Sequence, residues 1–201
     1  MTLYINACAR PASRTDRLAR ALLQKLGPYE ELRLYSEPLR PMTARRVARR
    51  DALLARKDYD APMFYYARQF AAADRIVLAA PLWDLSFPAQ LKVYLENIFV
   101  TGIVTRYSES GQPVGLCRAK KLYYVSTSGG PYDPRFGFDQ IRAMATENFG
   151  IPSVELIKAE MLDVDGCDPE AILQKAMAHY GLAENCLLYT SPSPRDRSLS
   201  R

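Results

Sequence analysis

The sequence predicts an α/β protein, a three-layer sandwich in which a five-stranded parallel sheet of order 2-1-3-4-5 carries helices on both faces. Three observations predict it. Five short runs rich in aliphatic, β-branched and aromatic residues recur along the chain, and the segments between them carry apolar residues at helical spacing. Alternation of strand and helix of this kind builds a mostly parallel sheet. Runs such as IVLAA at 76–80 and YYVS at 123–126 are apolar at consecutive positions, the pattern of strands covered on both sides. With 201 residues, 48% hydrophobic and 24% charged, the chain is large enough for one domain with a sizeable core, expected over residues 1–183.

The first strand is TLYINAC from Thr2, which stops in the polar loop ARPASRT and resumes at once as a helix with Leu18, Ala21, Leu22 and Leu26 on one face. Thr15 with Asp16 is read as the cap of that helix. EELRLY from Glu30 is the second strand, and ARRVARR at 44–50 repeats arginine at i,i+4, which predicts a helix with a solvated basic face. RIVLAAP from Arg75 is the third strand. After it Pro88 opens a helix at the first helical position, with Leu91, Tyr94, Leu95 and Ile98 on its apolar face. The connection 101–120 is longer than a crossover needs, and TRY and PVGL flank a Ser-Glu-Ser-Gly turn in it, so a hairpin is expected there. KLYYVSTS from Lys121 and SVELIKAE from Ser153 are the fourth and fifth strands. Asp168 followed by Pro169 reads as the cap and first residue of a last helix. From 184 to 201 serine, proline and arginine dominate without any helical period, so this tail is expected to be disordered or a non-native linker remnant.

Composition excludes several functions. The net charge of +5 falls to +3 when Arg195, Asp196, Arg197 and Arg201 of the last segment are set aside, a weak basic bias that does not suggest nucleic acid. No run of 18 apolar residues and no basic-plus-apolar leader appears, so neither a membrane partner nor export is expected, and the cytoplasm is the default location. Cys8, Cys117, Cys167 and Cys186 form no C-x-x-C pair, which argues against disulfides and cysteine zinc sites. His179 is the only histidine, so a Ser-His-Asp triad or histidine metal cluster has nothing else to draw on. DVDGCDPEA at 163–171 has its glycine at the fourth rather than the sixth position of a calcium loop, and no metal is expected.

Chemistry is expected in three loops that follow strands one, three and four, because ligands of open parallel sheets lie outside the carboxyl ends of the strands, at the point where the winding reverses. The first supplies Arg10, Ser13, Arg14 and Thr15, cations and hydroxyls at a helix start, where backbone N–H groups are unpaired and favour an anion. An ordinary capped turn with surface arginines is the plainer alternative. In the second, Trp83, Leu85 and Phe87 flank Asp84 just past a buried strand, which suits a flat ring system, although core packing would use the same residues. The third offers Ser126, Thr127 and Ser128 hydroxyls, and Gly129 and Gly130 let the backbone approach a ligand.

Together, ARPASRT, PLWDLSFPAQLKVYLENIFVTGIVTRY and STSGG resemble the flavodoxin-like, FMN-dependent NAD(P)H oxidoreductases of the azoreductase and quinone-reductase family, over Met1 to about Gly181. The resemblance implies that Arg10, Ser13, Arg14 and Thr15 hold the FMN phosphate. It further implies that Pro81, Leu82, Trp83, Asp84 and Leu85 line the isoalloxazine, and that Ser126, Thr127, Ser128, Gly129 and Gly130 border its pyrimidine side. Asp84 stands where azoreductases often have Asn, and Ser128 where some have Arg. The activity implied is two-electron transfer from NAD(P)H through FMN to small quinone, azo or nitroaromatic acceptors, in a homodimer, with Tyr107 on the hairpin as an aromatic wall of the substrate pocket. No side chain is expected to act as acid, base or nucleophile, because the flavin carries the chemistry. A flavodoxin-type electron carrier is the alternative, against which the basic charge and the long hairpin speak.

Overall fold

A computed structural model describes residues 1–182; the expectation for the tail at 184–201, and Cys186 with it, lies outside the described residues. β1 (Thr2–Asn6) is buried along its whole length because it lies between two strands, β2 (Tyr29–Arg33) and β3 (Arg75–Ala79), both parallel to it. β3 pairs in turn with β6 (Lys121–Thr127), and β6 with β7 (Ser153–Ala159), giving one parallel five-stranded sheet of order β2-β1-β3-β6-β7. Counted among the sheet strands alone this is the 2-1-3-4-5 order that the sequence predicts. The two strands β4 (Thr105–Tyr107) and β5 (Pro113–Gly115) form the antiparallel hairpin expected in the long connection.

Both sheet faces are covered, which is why the central strands read as continuous apolar runs. On one face α1 (Arg14–Leu26) and α6 (Pro169–His179) pack Leu18, Leu22, Leu173 and Met177 against Tyr4, Val77, Val125 and Ile157. On the other, α2 (Ala44–Ala55), α3 (Tyr65–Ala72), α4 (Ala89–Ile98) and α5 (Phe138–Ala143) bring Leu53, Phe70, Leu91, Tyr94 and Ile141 onto Leu3, Ile5, Ile76, Leu78 and Tyr124. Each such fully buried aliphatic or aromatic side chain contributes about 1.5–3 kcal/mol, so the two layers of contacts hold the sandwich together. α5 runs on into a π-helical turn, Met144–Phe149, and the hairpin rests on it. A Cβ at Gly115 would fall 2.0 Å from the Gly150 nitrogen, so glycine alone permits that approach.

Three local expectations need correction. The N-cap of α1 is Ser13, whose hydroxyl accepts the Asp16 N–H; Thr15 and Asp16 lie inside the helix and are buried. Pro88 is the cap of α4 rather than its first residue. The basic face of α2 is not wholly solvated, because Arg46 reaches across to the buried Asn97 side chain at 2.8 Å. In each case a contact distant in sequence or a shift of one or two residues in helix start overrode the local signal.

Candidate functional site

The first loop leaves β1 at Ala7, whose N–H donates to the Ala79 carbonyl of β3, and turns into α1. Its geometry is set by a buried network below it. Asp16 accepts from the Tyr4 hydroxyl at 2.5 Å, from Asn6 Nδ2 at 3.1 Å and from Arg20 Nε at 3.0 Å, and Arg20 also pairs with Glu31. Burial and the Asp16 carboxylate push the Tyr4 phenol far above its ordinary range, so it stays a donor. Anchored in this way, the first turn of α1 presents the Arg14 and Thr15 N–H groups, which have no helical carbonyl to bond, outward past β1.

Two hydrogen bonds tie the second and third loops to this one. Thr15 Oγ1 and Thr127 Oγ1 lie 2.6 Å apart, both buried, and the Leu82 N–H donates to the Thr127 carbonyl at 2.9 Å. The second loop then closes on itself, with Trp83 and Ser86 exchanging backbone hydrogen bonds of 2.7 and 2.8 Å around Asp84 and Leu85. Both central residues are left-handed, with φ of 49° and 58°, the backbone of a two-residue hairpin turn that usually takes Asn-Gly or Asp-Gly. Trp83 is 39% exposed beside the cleft, and Leu85, 64% exposed, sits at the tip of the turn.

A cleft of about 360 Å³ lies where these loops meet. Of the residues expected from the sequence, Arg10, Ser13, Arg14, Thr15, Pro81, Leu82, Trp83, Thr127, Ser128 and Gly129 line it. Asp84, Leu85, Ser126 and Gly130 do not. Asp84 and Leu85 are carried past the rim by their turn. Ser126 shares a face of β6 with Tyr124, opposite to the face on which Thr127 meets α1, and its hydroxyl is buried below the cleft. The Ser128 hydroxyl turns back to the Gly130 carbonyl at 2.7 Å and holds the shape of the third loop. Tyr107 lies elsewhere, 55% exposed on β4 in a groove with α2 and α4, so no wall of the cleft in its own chain uses it. Phe87 is buried in the core instead of facing a ligand.

The structure adds Leu162 and Asp163, from the loop after β7, which the sequence reading passed over. They belong there because Leu162 and Asp163 donate backbone hydrogen bonds to Ser128 and Gly129, zipping this loop to the third. A Cβ on Gly129 would come 2.7 Å from Asp163 Oδ2 and would push that exposed carboxylate aside. Asp163 also pairs with Arg14 at 2.8 Å, and the same Arg14 Nη1 donates to the Leu162 carbonyl at 3.2 Å. The available signal was positional: β7 ends at the same edge of the sheet as its neighbours. Behind the loop, Glu160 accepts the Tyr132 N–H at 2.7 Å and pairs with Lys158, which together hold its carboxyl below the ordinary range. Cys8, at the end of β1, has its thiol pushed up to about 11 by burial, which keeps it protonated and unreactive.

The donor set fits a phosphate ester bearing a flat ring. At one end are two guanidinium groups, the Ser13 hydroxyl and the unpaired N–H groups of a thirteen-residue helix; at the other is a half-exposed indole. Comparison with known proteins points the same way. Residues 1–182 match the family described as having a flavodoxin-like fold. The chain is 36% identical over 188 residues to the FMN-dependent NADH:quinone oxidoreductase of Clostridium beijerinckii, covering 87% of this chain and 93% of that one. An FMN-dependent NADH:quinone oxidoreductase of Clostridium acetobutylicum matches at the same identity and coverage. Among solved structures, an FMN-dependent NADH-azoreductase of Bacillus anthracis in complex with FMN superposes with a TM-score of 0.74 at 23% identity, over 89% of this chain and 94% of that one. The NAD(P)H:quinone oxidoreductase of Methanothermobacter marburgensis superposes with a TM-score of 0.65 at 20% identity, over 89% and 96%. At these identities the structural likeness speaks for the fold.

Proposed function

This chain belongs to the flavodoxin-like family that includes the FMN-dependent NADH:quinone oxidoreductases, and from that premise we propose that it transfers two electrons from NAD(P)H through FMN to quinone, azo or nitroaromatic acceptors. The observation that carries this reading is the convergence of the loops after β1, β3 and β6 on one cleft, with cations and a helix start at one end and Trp83 at the other. FMN, when bound, would supply the redox chemistry, a two-electron transfer between reduced nicotinamide and acceptor.

The chain's own part is binding, orientation and exclusion of water. Arg10, Arg14, Ser13 and the first-turn N–H groups of α1 would hold the phosphate, with Thr15 contributing its N–H while its hydroxyl braces Thr127. Pro81, Leu82 and Trp83 would pack along the ring, with Asp84 and Leu85 forming the turn that presents Trp83. Thr127, Ser128, Gly129 and Gly130 would border the polar edge of the ring, where the N–H groups of Gly129 and Gly130 donate to no carbonyl among the described residues. Ser126 would support this loop from beneath. The monophosphate fits better than a dinucleotide because the anion end is closed by the start of α1.

A homodimer is part of the proposal: the hairpin carries Tyr107 outward, where it would serve as an aromatic wall for a neighbouring subunit's cleft. We further place the functional unit at residues 1–183 and its location in the cytoplasm, where Cys8, Cys117 and Cys167 would remain thiols. The test is direct. The purified protein should be yellow, release stoichiometric FMN on denaturation, and oxidise NADH rapidly when menadione is added. Recovery of FAD, or a flavin that NADH does not reduce, would overturn the reading.

A further inference from the structure

A second cavity of about 630 Å³ opens between the loop after β2, the start of α2 and the start of α3, and it shares no lining residue with the cleft described above. Three arginines line it, Arg40, Arg46 and Arg68, together with Tyr65, Tyr66 and a single carboxylate, Asp60. Among the described residues none of the three guanidinium groups has a carboxylate partner within salt-bridge distance.

Neutral groups hold the guanidinium groups of Arg46 and Arg68 in place, and for Arg40 the backbone alone is held. Arg46 Nη2 donates to the Asn97 side-chain oxygen at 2.8 Å, and the amide nitrogen of that buried Asn97 donates to the Arg40 carbonyl at 3.0 Å, so one amide pins both arginine segments. Arg68 Nη1 donates to the carbonyls of Tyr59 and Ala61 at 2.6 and 3.0 Å. Amide and carbonyl oxygens orient a guanidinium without cancelling its charge. Arg46 Nε is moreover buried with no acceptor, a cost that a stability-driven site would have removed with a carboxylate. Glu37, the other acid near the cavity, accepts from the Tyr66 hydroxyl at 2.7 Å and keeps its charge, so three cations there face two carboxylates.

We propose that this cavity is an oxyanion site for a phosphate group, free or esterified. Planar guanidinium forks match phosphate oxygens, and two oriented guanidinium groups with a third, mobile one at the rim favour a multiply charged anion over a lone carboxylate. The cavity exceeds what a bare phosphate fills, and Tyr65, 51% exposed at its edge, offers a ring face to whatever the phosphate carries.

Calorimetric titration of the FMN-saturated protein with inorganic phosphate, AMP and adenosine tests this. AMP is expected to bind, with its affinity falling about tenfold or more in the Arg40→Gln/Arg46→Gln double variant. Arg40→Gln alone, at an exposed side chain with no recorded hydrogen bond, keeps the packing intact and should show a weakening in the same direction. Arg14→Ala, which alters only the first cleft, should leave AMP affinity unchanged, and this separates failure of this site from failure of the flavin reading. Phosphate binding as tightly as AMP would identify free phosphate as the ligand; tighter AMP would identify an ester. Absence of binding by both, adenosine binding as well as AMP, or loss of AMP binding in Arg14→Ala but not in Arg40→Gln would each overturn the proposal.

Discussion

Replacing Tyr4 by Phe removes one hydroxyl from the network under the first loop and leaves everything else in place. The ring keeps its edge contact with Tyr29 at 5.8 Å and the Arg20 guanidinium 5.7 Å above it, so packing is preserved. What is lost is a 2.5 Å hydrogen bond to the Asp16 carboxylate, which retains Asn6 and Arg20 as donors. A hydrogen bond to a charged group contributes about 1.5–3 kcal/mol, so a loss of about 2 kcal/mol is expected. Asp16→Ala is worse, because the fully buried Tyr4 hydroxyl then has no acceptor and Asn6 and Arg20 each lose one; breaking a buried charged cluster in this way costs about 3–5 kcal/mol. In the double variant there is no hydroxyl left to strand, so its loss should not exceed that of Asp16→Ala alone, leaving a coupling of about 2 kcal/mol or more. Urea unfolding reads these values from midpoints at constant slope. Additive losses, or a Tyr4→Phe change under about 0.5 kcal/mol, would refute the claim that this carboxylate is the anchor of the first turn.

Other consequences follow at the cleft and away from it. Arg14→Ala or Arg10→Ala should weaken FMN binding about ten- to hundredfold with little change in apo-protein melting, whereas Asp163→Asn should tighten it severalfold by removing a like charge beside Arg14; fluorescence titration with FMN decides both. Leu85→Gly should raise stability by about 0.5–1 kcal/mol, because relief of a left-handed side-chain residue exceeds the unfolded-state entropy of glycine, and a lower melting temperature would contradict the strain assigned to this turn. Arg17 holds the Glu170 carboxyl down at about 2 from an ordinary 4.5, so its contribution is present above the unfolded value and is lost as pH falls from about 4.5 towards 2; Glu170→Gln should flatten that part of the stability profile. Iodoacetamide near neutral pH should modify the exposed Cys167 well before the partly buried Cys8 or the buried Cys117, whose thiols desolvation pushes up to about 11 and about 12, and fast labelling of Cys117 would contradict the packing described.

The order of strands and helices, the burial of the sheet on both sides and the placement of three loops at one edge were legible in the sequence, because each rests on a local signal: period, run length, or residue type beside a helix start. IVLAA and YYVS declare their burial without reference to any other segment, and ARPASRT declares a helix start beside hydroxyls and cations. What each side chain does within the site was decided by contacts that no local pattern encodes. Thr15 looks like a free hydroxyl until Thr127, 112 residues away, takes it, and Arg14 looks like an unshared cation until Asp163 arrives from the loop after β7. Arg46 reads as solvated until Asn97 binds it, and the hairpin sets Tyr107 beside α2 and α4, away from the cleft of its own chain. Local chemistry chooses the element, but the pairing of side chains across elements depends on register and on which chain segments the sheet brings to the same edge, and these are properties of the assembled fold.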